Sequence, residues 1–384
     1  METSPQIKSK FPRAGTTIFS VMTALANEHE AINLAQGFPD FEPPAELIAL
    51  KHRYMLEGKN QYAPMPGVLA LREQISAKIN RLYSIEYNPD TEITITAGAT
   101  LALSCAIMCC LGDGDEAIII EPAYDSYAPA VRMAGAKPVY CEIDLETMRV
   151  DWGAVKRLIN YNTKAIIINT PHNPTGSILN AQDLIDLEKL VENHDIVVIS
   201  DEVYEHIIFD GREHQSVARY PKLAKHSFIV SSFGKTYHAT GWKMGYIVAP
   251  EKLMAEFRKI YQYVGFSAHS PSQYALAEYM KNDTWCAALP QFFTEKRDFF
   301  RHLLKDSRFK LLPCDGSYFQ TVSYDKISQL NSLDMAKEMT INHKVASIPM
   351  ASFYHQPFAG KYLRLCFAKS EETLKKGAER LCKI

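Results

Sequence analysis

Nowhere in this 384-residue chain does an unbroken apolar run approach the roughly 18–20 residues needed to cross a bilayer. Basic charge is not in surplus either: 42 Lys and Arg stand against 44 Asp and Glu, for a net charge of −2. That balance leaves neither a nucleic-acid footprint nor a polybasic membrane anchor. Eight cysteines are present, but there is no CxxC and no zinc-ligand spacing. Cys105 and Cys109 fall on one helical face, and Cys109 and Cys110 are adjacent, as expected of reduced, buried thiols. The opening stretch METSPQIKSKFPRAG lacks the apolar segment of a secretory signal, so a cytoplasmic protein is expected. Low-complexity segments and internal repeats are absent, no GxGxxG follows a strand, and no GxxxxGKS/T occurs. The common nucleotide phosphate loops therefore drop out.

What is present is an alternation. From residue 92 to 250 the runs EITIT (92–96), EAIIIEP (116–122), KPVYCEI (137–143), KAIIINTP (164–171), DIVVISDEVY (195–204), SFIVSSF (227–233) and GYIVAP (245–250) stand out. Between them lie amphipathic stretches such as DWGAVKRLI and AQDLIDLEKLVENH. Nearly all-apolar strands belong in a sheet covered by helices on both faces. The pattern predicts an α/β fold with a mainly parallel central sheet. After residue 250 the rhythm shifts to helices and then to short strands such as YFQTVS and YLRLCF, which predicts a smaller α+β domain. The expected division is an N-terminal arm (1–40) joining the small domain, a large domain (41–282) and a small C-terminal domain (283–384).

Ligands of such sheets gather outside the carboxyl ends of the strands, and there this chain carries chemistry. After EITIT come Gly98, Ala99 and Thr100, opening the helix LALSCAIMCCL. Small residues at a helix start leave N–H groups open to a phosphate. Tyr124 and Tyr127 follow EAIIIEP, and Asn173 and Gly176 stand in TPHNPTG. Asp201 and Tyr204 follow VVIS, while Ser232, Lys235 and Lys243 follow SFIV. A phosphate cradle, an aromatic face, a strand-end carboxylate and a strand-end amine are the parts that hold pyridoxal 5'-phosphate. The aldehyde needs a lysine amine, and the ring nitrogen needs a carboxylate to stay protonated as an electron sink.

The stretches SSFGKTYHATGWKMGY, NTPHNPTG and ISDEVYEHIIF closely resemble the class I aminotransferases of fold type I. AINLAQGFPDFEPP, NQYAPMPGVLALRE and YLRLCFAK extend the resemblance essentially end to end. It is closest to the kynurenine/glutamine transaminase branch, bacterial methionine aminotransferases in particular. The resemblance implies a homodimer, and it implies roles. Lys235 would be the Schiff-base lysine and proton shuttle, and Asp201 would pair with the pyridinium nitrogen. Asn173 and Tyr204 would bond the ring's O3′, and Tyr124 would stack on the ring. Ser232, Lys243 and the backbone of Gly98, Ala99 and Thr100 would hold the phosphate, with Tyr62 reaching it from the neighbouring subunit. Arg364 would clamp the substrate α-carboxylate, helped by Asn173 and the Gly37 backbone. Many relatives carry Arg where Lys243 stands, which puts the tightness of that contact in doubt.

Blander roles compete for several of these residues. Asp201 could cap a helix over EVYEHI, either Tyr124 or Tyr127 could be core, and Arg364 could be an exposed edge residue. His206, His214, His238 and His269 lack metal spacing. Ile18, Phe19, Phe38, Tyr124 and VGFSAH (264–269) are expected to give the substrate pocket an apolar, aromatic lining. The expected reaction is transfer of the amino group of methionine or aromatic amino acids to a 2-oxo acid. Rivals are a kynurenine/glutamine transaminase and a cysteine-conjugate carbon–sulfur β-lyase. A cofactor-binding DNA regulator is a poorer reading, because no segment is left over for a DNA-binding module.

Overall fold

The computed structural model describes residues 8–12, 14–192, 194–282 and 284–384. Its largest sheet has 8 strands: β1 Ile93–Thr96, β2 Glu116–Glu121, β3 Lys137–Asp144, β4 Arg149–Val150, β5 Thr163–Asn169, β6 Val197–Asp201, β7 Ser227–Ser232 and β8 Gly245–Val248. Their spatial order is β1-β8-β7-β6-β5-β2-β3-β4. The run from β7 to β3 is parallel, and the pairs at both margins are antiparallel. Ile118, Ile166, Val198 and Phe228 are fully buried, so helices cover both faces as the apolar runs require. Register puts Asn169 opposite Asp201, and Asp201 opposite Val230. The strand ends are therefore level, and the residues beyond them meet. The chain leaves β2 and β5 in opposite directions across the sheet, which opens the crevice where ligands bind in such folds.

A smaller antiparallel sheet follows, with β9 Lys310–Leu311, β10 Phe319–Ser323, β11 Ile348–Pro349 and β12 Tyr362–Cys366 in the order β9-β10-β12-β11. Arg364 sits in β12 opposite Thr321 and Ile348. The arm contributes a helix, Ile18–Glu28, capped by the Thr17 side chain, whose Met22 and Ala26 enter the core of this smaller part. Ile32–Asn33 then pairs in parallel with Val345–Ala346. One helix joins the two cores: in Thr284–Leu303, Cys286 packs under the large sheet while Leu289 and Phe293 enter the smaller core. The expected boundary at 282/283 falls beside Asp283, which lies outside the described residues, as do residues 1–7 of the expected arm. Among the described residues no helix is long and apolar enough to cross a membrane, and Cys105, Cys109, Cys110, Cys141, Cys314, Cys366 and Cys382 are free thiols.

Candidate active site

The strand ends enclose a cavity of about 440 Å³ that reaches across to β12. Asp201, the last residue of β6, forms part of its floor. Tyr127 donates to its Oδ2 at 2.6 Å and the Val203 N–H to its Oδ1 at 3.3 Å. Residues 203–206 form a turn, not a helix, so Asp201 does not act as a helix cap. Burial pushes its carboxyl up to about 6, against the two hydrogen bonds that favour the charged form. A buried acid so placed gains from a cationic N–H partner in the cavity. Asn169 braces the neighbouring loop. Its amide donates to the Asp201 carbonyl at 2.8 Å and accepts from the Asn173 N–H at 2.8 Å. The turn ends at Gly176 with φ +77, where a Cβ would lie 2.7 Å from the Phe319 carbonyl oxygen, so only glycine closes it.

Lys235 stands in the short helix Phe233–Thr236 just beyond β7. Its Nζ donates to the Gly37 carbonyl at 3.2 Å and to the Tyr318 hydroxyl at 3.1 Å. Burial brings its pKa down to about 8, with Arg364 and Lys243 acting in the same direction and Asp201 opposing. Such an amine is free base far more often at neutral pH than a surface lysine, which suits a nucleophile and base. Tyr204 is buried nearby, its ring edge-on to Tyr318 at 5.0 Å, and burial raises its phenol pKa strongly.

The opposite end is built for an anion. The helix Ala99–Cys110 starts from Gly98 at φ +89 with no side-chain cap, so its first N–H groups have no intrahelical acceptor. A Cβ on Gly98 would sit 3.3 Å from Lys243 Cε, and one on Gly245 would sit 2.7 Å from the Ala99 nitrogen. Both glycines thus let the Lys243 segment close against the helix start. Ser232, Thr100 and Tyr124 complete this wall.

Arg364 is 1% exposed, yet none of its hydrogen bonds goes to a carboxylate. Nη1 donates to Asn173 Oδ1 at 2.7 Å, Nη2 donates to the Ala35 carbonyl at 2.8 Å, and Nε has no partner. The guanidinium lies over the Phe319 ring, 4.1 Å from its centroid. Burial lowers its pKa, but an arginine keeps its charge. A dry cation with no carboxylate in hydrogen-bond contact is costly unless a ligand supplies one. Phe19, Gln36, Gly37 and Phe38 line the cavity beside it.

Of the expected site residues, Gly37, Gly98, Ala99, Thr100, Tyr124, Asn173, Asp201, Tyr204, Ser232, Lys235, Lys243 and Arg364 all line this one cavity. Tyr62 does not. It is 81% exposed and meets the Phe266 ring edge-on at 5.2 Å. Ser267 and Ser270 tie their segment to it by donating to the carbonyls of Ala63 and Gln61 at 3.1 and 2.6 Å. The expectation that Ile18 and 264–269 line this chain's pocket is corrected. Ile18 packs against the smaller core. His269 caps the helix Ser270–Tyr279, its Nδ1 accepting from the Ser272 N–H. His206 and His214 face Glu205 and Glu202, and His238 sits among Phe41, Trp285, Phe292 and Phe293. Sequence reasoning missed Asn169 and Tyr318 and left Tyr127 undecided. Tyr127 carried a usable signal, since three residues past Tyr124 it opens the helix Tyr127–Met133. Tyr318 carried almost none.

These donors fit pyridoxal phosphate. Open N–H groups, Ser232 and Lys243 would suit the phosphate, Asp201 the ring nitrogen, Lys235 the aldehyde, and Arg364 a substrate carboxylate. Comparison with known proteins agrees. The sequence profile of the family Aminotransferase class I and II matches residues 29–381. The chain is 46% identical over 383 residues to methionine aminotransferase of Escherichia coli, covering 99% of each chain. It is 32% identical to human kynurenine–oxoglutarate transaminase 1, covering 94% of this chain and 93% of that one. A crystal structure from Escherichia coli, in which structure and reactivity identify a methionine aminotransferase function, superposes with a TM-score of 0.97 at 46% identity, covering 99% of this chain and all of the other.

Proposed function

The chain belongs to the class I and II aminotransferases, and on that footing we propose that it moves the amino group of methionine and other neutral amino acids, aromatic ones included, to a 2-oxo acid. The observation that carries the substrate reading is Arg364, a buried guanidinium with no carboxylate partner, in a cavity whose nearby walls are Phe19 and Phe38. One anionic group is wanted there, and an apolar side chain beside it. The relatives named for methionine support the same choice.

Bound pyridoxal phosphate supplies an electron-withdrawing ring that acidifies the substrate Cα–H. Asp201, as a carboxylate, would keep a proton on the ring nitrogen, and Tyr127 and Asn169 hold Asp201 in place. Asn173 turns its amide oxygen to Arg364, so that its Nδ2 would be the group to donate to the ring's O3′, together with Tyr204. Tyr124 would cover one ring face. Gly98, Ala99 and Thr100 would bind the phosphate through their N–H groups, with Ser232 and Lys243. Lys243 balances charge without the two-pronged grip of an arginine. Lys235, its amine brought down toward free base by burial, is the residue that would hold the aldehyde end of the cofactor, and its Nζ would take the substrate Cα proton. Formation of the methionine-derived 2-oxo acid should require a 2-oxo acid acceptor. Ammonia and pyruvate released from a cysteine conjugate without an acceptor would instead identify the β-lyase.

The same reading makes the enzyme a cytoplasmic homodimer divided into arm, large domain and small domain at residues 41 and 283. Its free thiols suit a reducing compartment, and the exposed Tyr62–Phe266 pair suits a site shared between subunits. Tyr62→Phe should weaken cofactor retention about tenfold, the worth of one hydrogen bond to a charged group. Co-expression of Tyr62→Phe with Lys235→Ala subunits should restore native retention at one site per hybrid dimer. Retention no better than that of Tyr62→Phe alone would confine Tyr62 to its own chain.

A further inference from the structure

Three carbonyls of one short segment are each held by a cation. Arg364 takes the Ala35 carbonyl at 2.8 Å, Lys235 the Gly37 carbonyl at 3.2 Å and Lys369 the Phe38 carbonyl at 2.8 Å. The Gly37 carbonyl has a second donor, the Tyr318 hydroxyl at 2.7 Å, and the oxygen of that hydroxyl accepts from Lys235 Nζ at 3.1 Å. Amine, phenol and carbonyl thus form a closed triangle drawn from three distant parts of the chain. Tyr318 is fully buried, with the rings of Phe319, Tyr204 and Phe293 at 4.9, 5.0 and 5.8 Å. The phenol cannot swing away without unpacking this cluster. Tyr318 is not among the cavity's lining residues, although Phe319 beside it is.

We propose that Tyr318 is a positioning residue for the catalytic amine: fixed by its bond to the Gly37 carbonyl, its hydroxyl holds the free Lys235 amine over the cavity and favours its protonated form. This rests on Lys235 being the reactive lysine. The other titratable and charged groups around that amine are Asp201, Lys243, Arg364 and Cys366, with Tyr204 packed against Tyr318. An oxygen that accepts from an ammonium stabilises it, so removing that oxygen lowers the amine's pKa. The same loss frees the rotamer, and a displacement on the order of 1 Å can cost about a hundredfold in rate.

The test uses full-length protein freed of cofactor. Wild type and Tyr318→Phe are labelled with acetic anhydride across a pH range, and acetylation of the Lys235 peptide is read by mass spectrometry. The wild-type midpoint should lie near about 8, and that of Tyr318→Phe lower by about half a unit or more. In the loaded variant kcat should fall at least about tenfold, while KM for methionine stays within about twofold because Arg364 is untouched. A midpoint near 8 in both proteins overturns the role of Tyr318, even if the variant melts earlier. A wild-type midpoint near the ordinary lysine value of about 10.5 overturns the reading of Lys235 itself. Should Tyr318→Phe fail to fold, 3-fluorotyrosine at 318 keeps the ring and hydroxyl but weakens the acceptor. It must lower the midpoint too, and an unchanged midpoint overturns the proposal.

Discussion

Lys235→Ala is expected to lose at least about 10⁴-fold in kcat, because the covalent attachment and the proton-transferring base leave together. The protein should still fold, since Lys235 sits at a cavity wall and its hydrogen bonds go to one carbonyl and one phenol. It should also still bind pyridoxal phosphate, because the anion end formed by Gly98, Ala99, Thr100, Ser232 and Lys243 is untouched. Dialysis, however, should now remove the cofactor readily. Steady-state kinetics together with absorbance after dialysis decide the matter. A variant within tenfold of wild-type kcat would place the reactive amine elsewhere, with Lys243 the first suspect.

Methionine and phenylalanine should each exceed aspartate as amino donor by a factor of about a thousand in kcat/KM. Three cations line the cavity among the described residues: Lys235, Lys243 and Arg364. In the proposed function each already has a task, as amine, phosphate partner and α-carboxylate clamp. Lys369, the next candidate, points its Nζ at the Phe38 carbonyl at 2.8 Å. A second substrate carboxylate would therefore be buried near Phe19 and Phe38 without a partner, at a cost of several kcal/mol. A thioether or ring gains about 1.5–3 kcal/mol from the same surroundings. At about 1.4 kcal/mol per tenfold the difference reaches the stated ratio. Aspartate turnover within tenfold of methionine would mean that a further cation reaches the pocket, and the neutral-donor reading would fall.

Some of this site was legible in the sequence because the strands end abruptly. IIIN, VVISD and FIVSS each stop at a polar residue, and parallel pairing sets those stops side by side. Asp201 and Ser232 stand at such stops and Lys235 just beyond one, whereas the stop at Asn169 passed unnoticed beside Asn173 in the NPTG turn that follows it. The helix start at Gly98–Thr100 was legible for a similar reason, as small residues where a capping side chain would otherwise stand. Contacts between segments far apart in the chain were not legible. The triangle of Gly37, Lys235 and Tyr318 depends on how the arm and the smaller sheet dock on the large one, and no periodicity encodes that. EVYEHI (202–207) has helical spacing but folds around a single turn at 203–206, since Val203, Tyr204 and Ile207 are drawn into the smaller core. Residues 264–269 look like pocket lining by composition, yet they sit by the exposed Tyr62.

Borohydride reduction of the purified protein, followed by peptide mass spectrometry with and without prior addition of methionine, tests the proposed chemistry most directly. Without methionine the cofactor should be fixed on the Lys235 peptide. With excess methionine and no 2-oxo acid that label should disappear, because the amino group has moved to the cofactor and Lys235 is free, and adding a 2-oxo acid should bring it back. A label on another lysine, or one on Lys235 that methionine leaves unchanged, would contradict the proposed aminotransfer.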